Sequence, residues 1–163
     1  MAVSRETTTP PYAAYAGIMG TFAGGLAAAG VLARLLGRDP RGDTALDLAV
    51  LSAATFKAAR TISRDDVTSF LREPFVEGHA GTGEHEAPKE TGDLHQAIGE
   101  LVTCSRCVGT WMAAGLATTQ ILAPRFGRLL TWSLAAAGAN DFLQAGFVAL
   151  TSKTNELEER AAA

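Results

Sequence analysis

Four apolar stretches, separated by short polar breaks, organise the chain. The first runs from Ala13 to Leu36 and carries no charge before Arg34. At about 24 residues it is long enough to cross a hydrocarbon core as a tilted helix. The second, Thr44 to Ile62, is apolar in its middle, with Asp47, Lys57 and Arg60 toward its ends. There the long basic side chains can snorkel to an interface. The third is the spanning part, Leu101 to Ala123, of one long helical pattern that opens at Leu94 and closes at Pro124. The fourth, Leu129 to Leu150, follows a turn at Pro124 to Arg128, so the last two helices are expected to form an antiparallel hairpin. The pattern predicts an all-α integral membrane bundle: a single domain over 13–150 with spans at 13–36, 44–62, 101–123 and 129–150.

The polar breaks complete this plan. Residues 1–12 read as a flexible tail and 151–163 as a polar C-terminal tail. The N-terminal run is longer than a signal-peptide core and shows no clear cleavage site, so it reads as retained. Gly37 to Asp43 is a turn built on Pro40 and two glycines. Ser63 to Val76 reads as a short amphipathic helix lying along the membrane, with Ser63 as its cap, Val67, Phe70 and Leu71 on one side, and Pro74 at its end. Residues 77–93 lack apolar periodicity and read as a mobile loop.

Composition sharpens the class without naming a reaction. The chain has 163 residues and a net charge of −3, so nothing in its charge suggests nucleic acid as a partner. Mean hydropathy is only +0.12, because polar ends and a polar loop are averaged with strongly apolar runs. Basic residues give an orientation. Arg34, Arg38, Arg41, Arg125 and Arg128 fall on one side. Arg5, Arg60, Arg64, Arg72, Lys89, Lys153 and Arg160 fall on the other, which favours both termini in the cytoplasm.

Three features carry candidate chemistry. Gly20 and Gly24 form a G-x-x-x-G pair on the first helix, a face that lets another helix backbone approach closely in lipid. Lys57, Arg106, Asn140, Asp141 and Gln144 fall in one half of the bilayer as an intramembrane polar layer. Asp141 is expected to pair with Arg106, or alternatively with Lys57. Such a layer serves as interhelical glue, as an ion or proton path, or as a small polar ligand site. Cys104 and Cys107, the only two cysteines, form a Cys-x-x-Cys pair sharing one helix face. A helix beginning and the neighbouring Arg106 would favour a thiolate, which suits redox exchange or metal binding. For a metal, which as zinc needs four ligands, His95, His85 and His79 are the upstream ligands on offer; no second Cys-x-x-Cys pair exists, and a second subunit could complete the set. Otherwise the cysteines are small packing residues. No phosphate-binding loop, dinucleotide turn or nucleophile elbow is present, and no cofactor is implied.

Ala54 to Glu77 (ATFKAARTISRDDVTSFLREPFVE), Gly99 to Ala114 (GELVTCSRCVGTWMAA) and Asn140 to Gln144 (NDFLQ) resemble the bacterial domain-of-unknown-function family 1360, small multi-pass membrane proteins that include sporulation-associated members. The T-C-x-x-C-x-G-x-W pattern is the most specific part, although Ser105 stands where members often have proline. The resemblance implies a bacterial cell membrane and brings no activity. The sequence therefore leaves three readings: a non-enzymatic scaffold or subunit of a membrane complex, with the bilayer and another membrane protein or a second copy as partners; a thiol-redox or metal-handling protein; and a small ion or proton channel or transporter.

Overall fold

A computed structural model describes residues 10–38, 44–78 and 86–162. Among these the chain is all-α apart from one two-residue hairpin ladder. Helix α1, Tyr12–Leu35, starts on Pro11, where the missing N–H costs nothing. It ends on Gly37 at φ 63°, whose left-handed backbone lets Arg38 N–H reach the Ala33 carbonyl at 2.8 Å. Helix α2, Ala45–Arg64, opens on a capping box in which Thr44 and Asp47 satisfy each other's backbone donors.

Beyond α2 the expected amphipathic helix is divided. Ser63 does not cap it. Ser63 is buried inside α2, and its hydroxyl meets that of Ser105 at 2.8 Å. Past Asp65 the chain makes a 3₁₀ turn at Asp66–Thr68, a single α-turn at Ser69–Arg72 (α3) and a second 3₁₀ turn at Glu73–Phe75. Val67, Phe70 and Leu71 are all exposed. Strand β1, Val76–Glu77, then pairs antiparallel with β2, Ala87–Pro88, so the two ends of the expected loop are tied together. His79 and His85 lie outside the described residues.

The long helix expected from Leu94 is broken at Cys104. Helix α4, Leu94–Thr103, ends there, and α5, Ser105–Leu122, begins with Cys104 as its cap in an extended conformation. Helix α6 runs unbroken from Pro124 to Ala162, through the expected domain boundary at residue 150 and into the presumed tail. At 1.5 Å per residue it is about 58 Å long, about twice a hydrocarbon core.

Helices α2, α5 and α6 make the core, around Ala54, Leu116 and Ala135. Ser63 sits opposite Ser105, Ala59 near Gly109, and Ala54 near Leu116, so α2 and α5 are antiparallel. Ala54 near Ala135 and Lys57 near Asp141 make α2 and α6 parallel. The seam residues are small. A Cβ on Gly138 would come within 3.2 Å of the Ala53 carbonyl. Helix α1 leans on α5 through Phe22 and Trp111, edge to face at 5.1 Å. One helix among the described residues, α1, is long and apolar enough by itself to cross a membrane. The expected spans over α2, α5 and α6 fall short of that measure because charged or hydroxyl side chains interrupt each of them.

Candidate functional site

The break between α4 and α5 builds the site. Cys104 leaves the helical conformation at φ −96° and ψ 100°, which turns its Sγ back over the first turn of α5. There it accepts the Cys107 N–H at 3.3 Å. Both thiols are free, Cys104 half-buried and Cys107 exposed. A thiol at the positive end of a helix is favoured as thiolate by the unpaired N–H groups around it. The break itself is pinned from α2 by the Ser63–Ser105 contact.

A cavity of about 350 Å³ opens beside Cys107, between α1 and the α4–α5 corner. Tyr15, Met19, Phe22, Leu101 and Trp111 line it with apolar surface. Glu100 supplies its polar edge. The Tyr15 hydroxyl donates to Glu100 Oε2, and Gln96 Nε2 donates to Oε1 at 2.9 Å. Neither Tyr15 nor Glu100 was among the residues singled out from the sequence. The signal available was the placement of Gln96 and Glu100 at i and i+4 just before the cysteines.

His95 does not join the thiols. Its Nε2 sits 2.8 Å from the Pro74 carbonyl, and its ring packs on Phe75 at 4.7 Å. No group of three His, Cys, Asp or Glu side chains able to hold a metal occurs among the described residues.

The polar layer is rearranged from its expected pairing. Arg106 is exposed, and Asp141 is held instead by Lys57 at 2.8 Å, the alternative partner. Lys57 also lies 3.7 Å from Asp65. With Arg60 and Gln144 these groups line an open cleft of about 420 Å³. Among the described residues neither Asn140 nor Gln144 makes an interhelical hydrogen bond. Gly20 and Gly24 have nothing within 4 Å of where a Cβ would sit, so among the described residues their face packs on no other helix.

A second polar centre was missed. Arg72 is 1% exposed. Its Nε and Nη2 meet Glu86 at 2.6 and 3.1 Å, and its Nη1 donates to the carbonyls of Ile62 and Asp65 at the end of α2.

The region from Val50 to Phe147, holding the three-helix core, the thiol corner and both polar centres, matches a family model described as a protein of unknown function (DUF1360). The chain belongs to the DUF1360 family. Two relatives from Bacillus subtilis (strain 168) are similar to it. The UPF0713 protein YngL is 26% identical over 99 residues, covering 61% of this chain and 76% of its own. The sporulation protein YjcA is 33% identical over 102 residues, covering 57% of this chain and 83% of its own. No solved structure matches the chain. The DUF1360 match begins after α1, so the family region supplies Cys107, Glu100 and Trp111 to the cavity, while Tyr15 and Phe22 come from outside it.

Proposed function

We propose that this DUF1360 chain is a multi-pass protein of the bacterial cell membrane, crossing it with α1, α2, α5 and α6, and that it serves as a non-enzymatic scaffold or subunit of a membrane complex. The observation that carries the reading is α1: of its 24 residues, only Ala33 is buried. An apolar helix this exposed needs lipid or a partner helix to cover it.

Other features support the same reading. The four long helices alternate in direction, so short turns at Gly37 and Ala123 fall at one end. The α3–α4 segment, the thiol corner, the start of α1 and the end of α6 lie toward the other. Leu46, Leu48, Phe56, Leu129, Phe142 and Phe147 are exposed on outer faces, while alanines and glycines fill the seams. Small residues inside and large apolar ones outside is the pattern of helices that pack in lipid. Arg60, Arg64, Arg72, Lys89, Lys153 and Arg160 lie toward the end with the thiol corner, against Arg34, Arg38, Arg125 and Arg128 at the other, which favours the thiol-corner end as cytoplasmic. The open Gly20/Gly24 face is the surface offered to a second membrane helix, from another copy or another protein. The name of one relative points to spore formation as the process to examine first.

Alkaline carbonate extraction combined with sided reporters fused after Arg38, Gly78 and Ala163 tests this reading. We expect the protein to stay in the membrane, with the Arg38 reporter outside and the other two inside. Release into the soluble fraction, or one compartment for all three reporters, would overturn it.

A further inference from the structure

We propose that Cys104 and Cys107, with the cavity between α1 and α5, form a dithiol site that is oxidised by a lipid-soluble quinone. The inference rests on the multi-pass membrane reading above but not on the non-enzymatic role, in place of which it puts a reaction. Its starting point is that the thiols and the cavity are one feature: Cys107 is part of the cavity wall, and Cys104 Sγ lies against the Cys107 N–H. A reagent seated there faces a vicinal dithiol.

The cavity specifies what that reagent is. Its walls are the rings of Tyr15, Phe22 and Trp111 and the thioether of Met19, a lining for a flat ring. At about 350 Å³ it is the size of a small-molecule site. On one edge the Glu100 carboxylate, held by the Tyr15 hydroxyl and Gln96 Nε2, is a proton-accepting group through which the two thiol protons can pass toward a ring's carbonyl oxygens. Beyond Phe22 the α1–α5 seam holds a second, separate cavity of about 550 Å³, lined by Ala29, Ala33, Ala117 and Ile121, with Arg34 and Arg38 at its far end. Its apolar stretch lies along α1, of which only Ala33 is buried, and is the place for an attached hydrocarbon tail. A flat two-electron acceptor with a polar edge and an apolar tail is a membrane quinone.

The chemistry balances. Both S–H bonds break, one S–S bond forms between Cys104 and Cys107, and two electrons and two protons pass to the quinone, whose carbonyl oxygens become hydroxyls. Two thiols from the aqueous side then restore the dithiol by exchange, leaving as a disulfide. Cys104 is placed as the attacking thiol by its position at the α5 N-terminus, and Cys107 as the one beside the ring.

The full chain, reduced and placed in phospholipid nanodiscs, is mixed with decylubiquinone, whose fully substituted ring leaves no open carbon for a stable thioether. We expect loss of both free thiols, an equal yield of hydroquinone, and an intact mass lower by two hydrogens. Cys104→Ser and Cys107→Ser are each expected to abolish hydroquinone formation, and Trp111→Ala to slow it. Binding is read separately in a Cys104→Ser, Trp132→Phe chain, where Trp111 is the only tryptophan left and its fluorescence should be quenched saturably. Failure to enter nanodiscs would overturn the membrane reading and this one with it. Entry with thiols that persist would overturn this one alone. So would thiol loss at the same rate in Trp111→Ala together with unsaturable quenching, since the seam would then be filled by ordinary lipid.

Discussion

Lys57 Nζ meets Asp141 Oδ2 at 2.8 Å across the seam of α2 and α6, with Asp65 at 3.7 Å on its other side. The lysine is a fifth exposed and the aspartate about a third, so the pair is neither dry nor free in solvent. Replacing Asp141 by Leu leaves Lys57 with the longer contact alone and should cost about 1–2 kcal/mol, between the values for surface and buried pairs. The double change Lys57→Met, Asp141→Leu should recover most of that loss, and Arg106→Gln should leave it unchanged. A double-mutant cycle on thermal unfolding in detergent reads the coupling. Equal coupling of Asp141 to Arg106 would refute the pairing.

The glycines divide into two groups by what stands against them. A Cβ on Gly127 would lie 2.6 Å from the Gln120 backbone in the α5–α6 hairpin, where nothing can give way. Gly127→Ala should therefore destabilise the fold by about 1–3 kcal/mol. Gly20→Ala and Gly24→Ala meet open space and should leave monomer stability within about 0.5 kcal/mol. If that face holds a second helix, Gly20→Leu should instead abolish crosslinked dimers or a co-purifying partner. Unfolding curves and crosslinking of the same variants separate the two effects.

The long helices were legible because an apolar run has only a few ways to bury itself, and its ends are marked by Pro11, Thr44 and Pro124. The break at Cys104 was not. Leu94 to Ala123 reads as one continuous helix, and neither cysteine nor serine is a strong breaker. The break comes from tertiary fixing, with α4 held against Phe75 at Gly99 and α5 held to α2 at Ser63. The partner of Asp141 was legible only as a choice between Arg106 and Lys57. Counting residues from the membrane edge put Arg106 and Asp141 at one depth, but the depth of a residue says nothing about the face it occupies. Arg72 was missed for another reason: its partner Glu86 lies on a segment whose composition reads as loop.

Acid should loosen the corner that leads into the thiols. Asp93 caps α4, accepting the Thr91 hydroxyl at 2.6 Å and the His95 N–H at 2.9 Å. These bonds, the Thr91 hydroxyl first, hold its carboxyl below the ordinary aspartate range. A carboxyl whose folded value is depressed adds stability that is complete above the unfolded value of about 3.9 and is lost as pH falls through the folded one. Amide exchange in α4 should therefore be constant from neutral pH down to about 5 and accelerate below about 4 after correction for intrinsic rates. Asp93→Asn should remove the pH step while keeping part of the cap. A step that persists in the Asn variant would assign it to another group.

Among the described residues Arg72 is the largest fully buried side chain, and it holds three segments at once. Its guanidinium closes on Glu86 beyond the β1–β2 ladder and on the Ile62 and Asp65 carbonyls that end α2. Arg72→Ala strands the carboxylate and both carbonyls, and should cost about 3–5 kcal/mol, the range for breaking a buried pair from one side. Arg72→Lys keeps the charge but not the fork, so it should recover only part of that loss. Glu86→Gln still accepts a hydrogen bond and should be the mildest of the three. The expected order of thermal midpoints is wild type, Glu86→Gln, Arg72→Lys, Arg72→Ala. Limited proteolysis between Val76 and Asp93 should quicken in the same order, because Arg72 is what fastens that segment to α2. Proteolysis that stays slow in Arg72→Ala while the midpoint falls would mean that the β1–β2 ladder holds the segment without it.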